Sequence, residues 1–185
     1  MGLLENILTA AIRNEKAPNI SNWVECQHVF QGKTHCETCL KIDKCWFTNE
    51  NKPLIPHHMF CHCKTIPLPI DRVINEATAK CVYSKFNPYL FDPENIYKHK
   101  KEKMFISWGY NINDSEWLRS EIEKQGLEKY IAGDYTLGKL NNKGQRINIR
   151  VEIPRNDKEG TVSFITGWMV LPSGKIKLTT PYGGK

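Results

Sequence analysis

The chain has 185 residues and a mass of 21.4 kDa, enough for one ordinary domain or for a small module followed by a compact domain. Hydrophobic residues make up 40% and charged residues 25%, a composition that excludes wholesale disorder. The longest apolar run is far short of the roughly 20 residues that a membrane span needs, and the first residues lack the basic start of a secretory signal. We therefore expect a cytoplasmic protein with no membrane partner.

The net charge of +6 is unevenly distributed along the chain. Residues 71–185 contain 19 Lys and Arg against 14 Asp and Glu, whereas residues 1–70 contain seven against six. The positive surplus of the second segment fits a polyanionic partner, although a charge of this size also serves solubility alone.

The N-terminal segment begins with a predicted helix and ends at two prolines. Apolar residues at helical spacing predict one short amphipathic helix within the first sixteen residues. A Cys- and His-rich segment follows, and Pro67 and Pro69 then predict an extended linker. We therefore divide the chain into an N-terminal module, residues 1–70, and a second domain, residues 71–185.

Two helices are predicted at the start of the second domain. Asp92 and Pro93 have the types expected at the N-cap and first position of a helix, and Gly109 is a natural end for it. Asp114 caps the second helix, which Gly126 weakens late in its course. The predicted buried face of this second helix contains Trp117, Leu118, Ile122 and Ile131.

After Gly133 the apolar pattern changes to a period of two, which is typical of strands. Alternation is clearest in "QRINIRVEI", and "TVSFITGWMVL" also alternates, so that Trp168 is expected in the core. The turn signals "NNKG" and "PSG" join four short antiparallel strands. Two helices followed by a four-stranded antiparallel sheet predict an α+β domain.

The N-terminal segment concentrates the residues that bind metals best. Five of seven cysteines and four of six histidines lie between His35 and Cys63. Cys36 and Cys39 form a C-x2-C pair, the spacing at which two thiolates from one turn reach one zinc ion. Cys61 and Cys63 form a later C-x-C pair, with His58 close by in the sequence. Four thiolates, or three and an imidazole, would complete a tetrahedral structural site for Zn²⁺.

The alternative is a set of free, partly buried cysteines, since Cys behaves as a small hydrophobic residue. The segment is poor in regular structure and needs something to hold it together, which favours the metal. Cys45 is a reserve ligand, whereas Cys26 and Cys81 have the pattern of ordinary core or surface thiols.

This segment resembles the C-terminal part of phage Mu F-like minor head (head morphogenesis) proteins. The resemblance covers about residues 20–70 and consists of an upstream Trp, a C-x2-C pair and a Pro-x-His-x-x-C-x-C closure. Its residues here are Trp23, Cys36, Cys39, Pro56, His58, Cys61 and Cys63. The long helical portion that normally precedes this signature is missing.

A cluster of basic residues surrounds the one histidine of the second domain. In "YKHKKEK", Lys98, Lys100, Lys101 and Lys103 flank His99. Nearby cations attract phosphates and favour the neutral, base-competent form of the imidazole. On charge alone, a solvated basic helix face is the better explanation of the cluster.

Residues 85–185 resemble toxin domains of the barnase–EndoU–colicin–RelE-like nuclease superfamily. The signposts are "KFNPYLFDP", "YKHKKEKMFISWGY", "GDYTLGKLNNKGQRI" and "FITGWMVLPSGKIKLTTPY". Such domains occur at the C-termini of phage head proteins and of contact-dependent inhibition toxins. The joint occurrence of both segments makes the resemblance more specific than either half alone.

The resemblance implies metal-independent RNA cleavage by attack of the ribose 2′-OH on the adjacent phosphate. It implies that His99 acts as base or acid, and that Lys98, Lys103 and Arg146 contact the phosphate. The hydroxyls of Thr166 and Thr179 would orient that phosphate.

The implied partners are RNA (tRNA among the candidates), an immunity protein and phage capsid or portal components, the last making the protein virion-associated. Two alternatives stay open: a phage head protein whose nuclease-like fold is inactive, and a zinc-containing module that binds nucleic acid without cleaving it.

Overall fold

A computed structural model of the chain describes residues 22–29, 36–56, 58–91, 94 and 101–182. Within these residues the chain forms an α+β fold with two β-sheets, which confirms the predicted fold class. The predicted N-terminal helix and the helix start at Asp92 and Pro93 lie outside the described residues. None of the helices in the described part combines the length and apolar character of a membrane span.

The first sheet has three antiparallel strands in the order β2-β1-β3. These are β1 (Trp23–His28), β2 (Trp46–Thr48) and β3 (Cys63–Leu68), and the short helix α1 (Glu37–Ile42) lies between β1 and β2 in the chain. The predicted linker is therefore wrong: its residues are extended, but they form β3, and every residue of β3 pairs with β1. Pro67 is tolerated there because β3 is an edge strand, where a missing N–H costs no ladder hydrogen bond.

The second sheet has five strands in the order β4-β8-β7-β6-β5. Its strands are β4 (Thr78–Lys80), β5 (Thr136–Asn141), β6 (Gly144–Pro154), β7 (Thr161–Leu171) and β8 (Lys175–Thr180). The helices of this segment are α2 (Ile70–Glu76), α3 (Glu102–Ile106) and α4 (Ser115–Ala132), with 3₁₀ turns at Tyr83–Lys85 and Ile112–Asp114. The four predicted antiparallel strands are confirmed as β5 to β8, and β4 adds a short parallel strand beside β8.

Alternate residues of strand β6 lie on opposite faces of this sheet. Ile147, Ile149, Val151 and Ile153 are buried on the face that packs against α4. The alternating residues, including Arg146, Asn148 and Arg150, point to the opposite face because side chains alternate along a strand. This opposite face carries the cleft described below.

Helix α4 follows its prediction with one exception. It begins after Asp114 and ends at Gly133, whose φ of 74° lies in the left-handed region that favours glycine. Trp117 was expected on the buried face but is 44% exposed, and its ring instead stacks on Tyr110 at 5.6 Å.

The two sheets share one hydrophobic core. The Tyr130 hydroxyl on α4 donates to the Trp46 carbonyl of β2 at 2.8 Å, and the Thr48 amide donates to the Tyr135 hydroxyl at 2.8 Å. The Ser173 amide in the β7–β8 turn donates to the Lys44 carbonyl at 2.8 Å. The three-stranded sheet therefore packs directly on the second segment. The division of the chain at residue 70 stays a prediction.

Candidate metal centre and basic cleft

Four cysteines are brought together by one helix, one loop and one strand. Cys36 is the N-cap residue of α1 and Cys39 lies one turn later, so that both side chains fall on one face of the helix. Cys61 follows the loop at residues 58–60, and Cys63 begins β3. The pairing of β3 with β1 holds the second pair of cysteines next to the first.

One pair of cysteine sulfurs lies at the spacing expected of two ligands of one metal ion. Cys39 Sγ is 3.9 Å from Cys61 Sγ, and the Cys39 thiol also interacts with those of Cys36 and Cys63. In a tetrahedral site with Zn–S bonds of about 2.3 Å, neighbouring sulfurs are about 3.8 Å apart. Cys39 is thus the central donor of a four-thiol cluster.

Two histidines lie at the margin of this cluster. His58 Nε2 is 3.1 Å from Cys39 Sγ, and its Nδ1 donates to the Met59 carbonyl, which leaves Nε2 as the nitrogen able to bind a metal. His28 Nδ1 on β1 is 3.8 Å from Cys63 Sγ. The sets Cys36–Cys39–His58 and His28–Cys39–Cys63 each keep their donor atoms within 4.8 Å of one another. These residues could hold a metal ion.

The surroundings of the thiols oppose the build-up of negative charge in the absence of a cation. Burial raises the pKa of the Cys63 thiol to about 11 and raises that of Cys39 further. The Cys36 thiol differs, because a hydrogen bond from the Cys39 backbone lowers its pKa. A divalent cation would favour the thiolate form of all these residues, since a coordinating thiol is deprotonated.

The remaining described cysteines are core residues. Cys26 and Cys81 are buried, which decides between the core and surface positions that the sequence left open. Cys45, the predicted reserve ligand, is also fully buried, and its thiol donates to the carbonyls of Lys41 and Val170 at 3.6 and 3.9 Å. This burial and these hydrogen bonds within the core contradict the prediction of a reserve ligand.

A cleft of about 770 Å³ lies on the face of the five-stranded sheet opposite α4. It is lined by Tyr89, Lys101, Gly138, Lys139, Arg146, Asn148, Gly167, Thr179, Thr180 and Tyr182. The lining thus combines strand residues of β5 to β8 with residues that precede α3 and follow β8.

Arg146 is held at the floor of the cleft by the neighbouring strands. Its Nη2 donates to Thr179 Oγ1 at 2.9 Å, and that hydroxyl donates to the Gly167 carbonyl at 2.8 Å. A Cβ at Gly167 would lie 2.9 Å from Thr180 Cγ2 and 3.4 Å from the Arg146 guanidinium. The absence of a side chain at Gly167 therefore leaves room for the guanidinium.

A second cation lies beside a tyrosine ring. Lys101 Nζ donates to Thr180 Oγ1 at 2.8 Å and to the Tyr89 hydroxyl at 3.4 Å. Lys101 and Lys85 lie 5.5 and 5.1 Å from the centre of the Tyr89 ring, within the range of a cation–π interaction.

Every charged residue in the described lining of the cleft is positive. Lys101, Lys139 and Arg146 line it, and no carboxylate does so among the described residues. Two arginines outside the cleft pair with acids: Arg119 with Glu116 at 2.6 Å, and Arg155 with Asp157 at 2.8 Å. The Arg146 guanidinium donates to the Thr179 hydroxyl, which leaves its positive charge available to an anionic ligand. The cleft is therefore suited to bind an anion.

The structure separates the predicted catalytic residues. Arg146 and Thr179 meet in the cleft, whereas Lys103 is exposed on α3 and does not line it. Thr166 is 0% exposed: its hydroxyl donates to the Ile149 carbonyl and accepts from Trp168 Nε1, both at 2.8 Å. Its predicted contact with a phosphate is wrong, because both hydrogen bonds lie inside the core. His99 and Lys98 lie outside the described residues.

Several cleft and cluster residues have no clear signal in the sequence. Tyr89, Tyr182 and Lys139 come from separate segments, and only the fold brings them to one cleft. Lys101 belongs to the quoted basic cluster, but nothing local distinguishes it from its neighbours. His28 lies on β1, outside the segment between His35 and Cys63 that drew attention to the metal ligands.

Fold and cleft together define an α+β domain with a basic cleft on the open face of its larger sheet. Residues 73–185 match the family described as a domain of unknown function, DUF6883, and the chain belongs to this family. The match contains the whole five-stranded sheet and the cleft, and it begins after the metal-binding residues. No curated protein and no solved structure matches the chain. The resemblances to phage minor head proteins and to toxin nucleases stay predictions.

Proposed function

We propose that the chain is a toxin-like ribonuclease that cleaves RNA without a catalytic metal ion. The observation that supports this most directly is the cleft, where Lys101, Lys139 and Arg146 face an open space with no carboxylate among the described lining residues. Fixed cations of this kind attract a phosphodiester and stabilise the additional negative charge that develops on it during reaction. A lining without carboxylates also lacks the ligands that Mg²⁺ prefers in nuclease sites.

The proposed reaction is an internal transfer. A base removes the proton from the ribose 2′-OH, the 2′-oxygen attacks the adjacent phosphorus, and the bond to the 5′-oxygen breaks as that oxygen accepts a proton. The products carry a 2′,3′-cyclic phosphate and a 5′-hydroxyl. Arg146, positioned by Thr179, and Lys101 contact the phosphate. We assign the base or acid to His99, two residues before Lys101 in the sequence, with Lys98 beside it.

A second function is favoured by one feature of the same cleft. Its described lining contains no His, Asp or Glu that could move a proton. If His99 does not act there, the cleft binds RNA without cutting it. Both functions use the cations to bind RNA, and only the first needs a base that removes the 2′-OH proton.

The experiment that tests the first function compares variants on labelled tRNA and total RNA in the presence of EDTA. We expect His99→Ala and Arg146→Gln to lower the cleavage rate by about 100-fold or more, the typical effect of removing an essential base or a charge-stabilising group. Lys124→Gln is the matched control, because it removes one exposed positive charge on α4, outside the cleft. Binding without cleavage by the folded wild type would favour the second function.

We propose that the metal is a structural Zn²⁺ bound by Cys36, Cys39, Cys61 and Cys63, with His58 as the alternative fourth ligand. The central position of Cys39 and a sulfur separation near the tetrahedral value support this proposal. Elemental analysis of the purified protein should find about one zinc per chain. Cys39→Ser should abolish it and Cys81→Ala should retain it; an unchanged zinc content in Cys39→Ser would contradict the assignment.

A further inference from the structure

A second cavity of about 460 Å³ adjoins the basic cleft. Its main lining residues are Met104, Trp108, Arg150, Ser163, Phe164 and Tyr182. Tyr182 lines both cavities, so that they meet at this residue. The cleft is lined by three cations and several hydroxyl groups, whereas this cavity is bounded mainly by aromatic and apolar side chains, with one cation and one serine.

The cavity exists because β8 is shorter than β7. Strand β8 pairs with β7 only between residues 167 and 171, whereas β6 pairs with it from residue 161 onward. Residues 161–165 therefore have a strand neighbour on one side only, within the described part of the chain. Helix α3 and the Trp108 ring, which stacks on Phe164 at 5.5 Å, close the opposite side.

Arg150, the cation of this cavity, lies on the same strand as Arg146 and Asn148 of the cleft. Arg146, Asn148 and Arg150 occupy alternate positions of β6 and share one face. Two residues along a strand span about 7 Å, so the Cα atoms of the two arginines are about 13 Å apart. Their guanidiniums bond to different residues, Arg146 to Thr179 and Arg150 to Ser163. Arg150 is exposed and donates from Nη1 to Ser163 Oγ at 3.1 Å, which directs its guanidinium to the rim of the cavity.

We propose that this cavity is a second nucleotide subsite for a single-stranded RNA, an inference that rests on the proposed function of the cleft. Arg150 contacts a phosphate next to the one held by Arg146, and Asn148 lies between them to hydrogen-bond the sugar or base. The unstacked base of that nucleotide enters the cavity beside Tyr182. A duplex keeps its bases stacked and paired, so that only a single strand can use both cavities.

The proposal is tested with a fluorescent RNA octamer carrying 2′-O-methyl groups. Such a strand cannot be cleaved, so binding is measured independently of catalysis. We expect Arg150→Gln to raise the Kd for the octamer about fivefold to tenfold and to lower the salt dependence of binding by about one phosphate contact. Ser163→Glu, which places a carboxylate beside Arg150, should have a similar effect, and Lys124→Gln should have the smaller effect of a distant charge.

A dinucleotide short enough to occupy the cleft alone should bind wild type and Arg150→Gln equally. Equal affinity of the two proteins for the octamer, or equal affinity of the wild type for single-stranded and duplex RNA, would overturn the subsite. If Arg150→Gln weakens octamer binding while wild type fails to cut unmodified RNA, the subsite stands and the ribonuclease proposal fails. If wild type cuts RNA and Arg150→Gln leaves octamer binding unchanged, the ribonuclease proposal stands and the subsite fails.

Discussion

Gly126 lies at the contact between helix α4 and strand β7. Glycine weakens a helix interior by about 1 kcal/mol relative to alanine, and Gly126 lies within α4. In the structure it faces the Trp168 ring so closely that a Cβ would lie 2.3 Å from Cζ2. The absence of a side chain at Gly126 therefore allows Trp168, the largest buried side chain of β7, to pack against α4.

We predict that Gly126→Ala destabilises the protein despite the better helix propensity of alanine. The added methyl group must displace a fully buried indole ring, and overpacking of this kind costs about 1–3 kcal/mol. Urea denaturation measures the free energy of unfolding. The control is Ser120→Ala at an exposed position of α4, which should be neutral or slightly stabilising. A stabilised Gly126→Ala protein would show that Trp168 packs elsewhere.

Two threonines of the second sheet should respond differently to the same substitution. Thr166→Val leaves the buried Trp168 N–H without its acceptor, and we expect it to reduce stability by about 1–3 kcal/mol with no change in RNA affinity. Thr179→Val releases Arg146 from its hydrogen bond and should weaken RNA binding with a smaller loss of stability. Chemical denaturation and fluorescence anisotropy on both variants check this, and a weaker RNA affinity in folded Thr166→Val would contradict the buried role.

At the level of elements, local patterns predict those parts of the fold that local interactions determine. Strands β5 to β8 and helix α4 are predictable because their period and turn signals lie within each segment. Strand β4 has only three residues, too few for a period, and it exists because β8 offers an edge. Pro67 and Pro69 exclude a helix and so predict an extended linker, whereas the fold pairs this extended segment with β1 at a sheet edge.

Site residues, too, are predictable from the sequence only where the signal is local. The C-x2-C and C-x-C pairs are local signals, but the approach of His28 to Cys63 depends on the pairing of β1 with β3. The period of β7 already places Thr166 on the same face as Phe164 and Trp168, so its burial could have been predicted. The meeting of Lys101 with Thr180 could not, since 79 residues separate them.

We predict that metal removal loosens α1 and the loop after it more than the sheets. Helix α1 has six residues, far fewer than an isolated helix needs, so its stability must come from contacts and from its cysteines. On chelation, hydrogen exchange at the amides of Leu40 and Cys61 should accelerate, while β6 and β7 stay protected. Uniform protection before and after chelation would show that no metal supports this region.

At the level of the whole molecule, the shared core makes the two segments depend on each other. Tyr130 and Tyr135 are buried between them, and a Cβ at Gly174 would lie 2.4 Å from the Trp46 ring. The three-stranded sheet thus covers apolar surface that the second segment would otherwise expose to water.

We predict that a fragment of residues 71–185 is less stable than the full chain. Removing the first segment exposes the rings of Tyr130 and Tyr135 and breaks the hydrogen bond from Tyr130 to Trp46. Uncovering large buried side chains costs about 1.5–3 kcal/mol each, so the midpoint of urea denaturation should fall clearly. A fragment as stable as the full chain would support two independent domains divided at residue 70.

The most direct test of the account is the fate of an RNA whose attacking hydroxyl has been removed. A short oligonucleotide with a single ribonucleotide in a DNA background is incubated with the wild-type protein and EDTA, beside the all-DNA strand. Retention of the structural metal is verified by elemental analysis. Attack by the 2′-OH should give one cut, on the 3′ side of the ribonucleotide, leaving a 2′,3′-cyclic phosphate, and no cut in the all-DNA strand. Cleavage of both strands, or of neither by folded protein that cuts no natural RNA, would contradict the proposed ribonuclease.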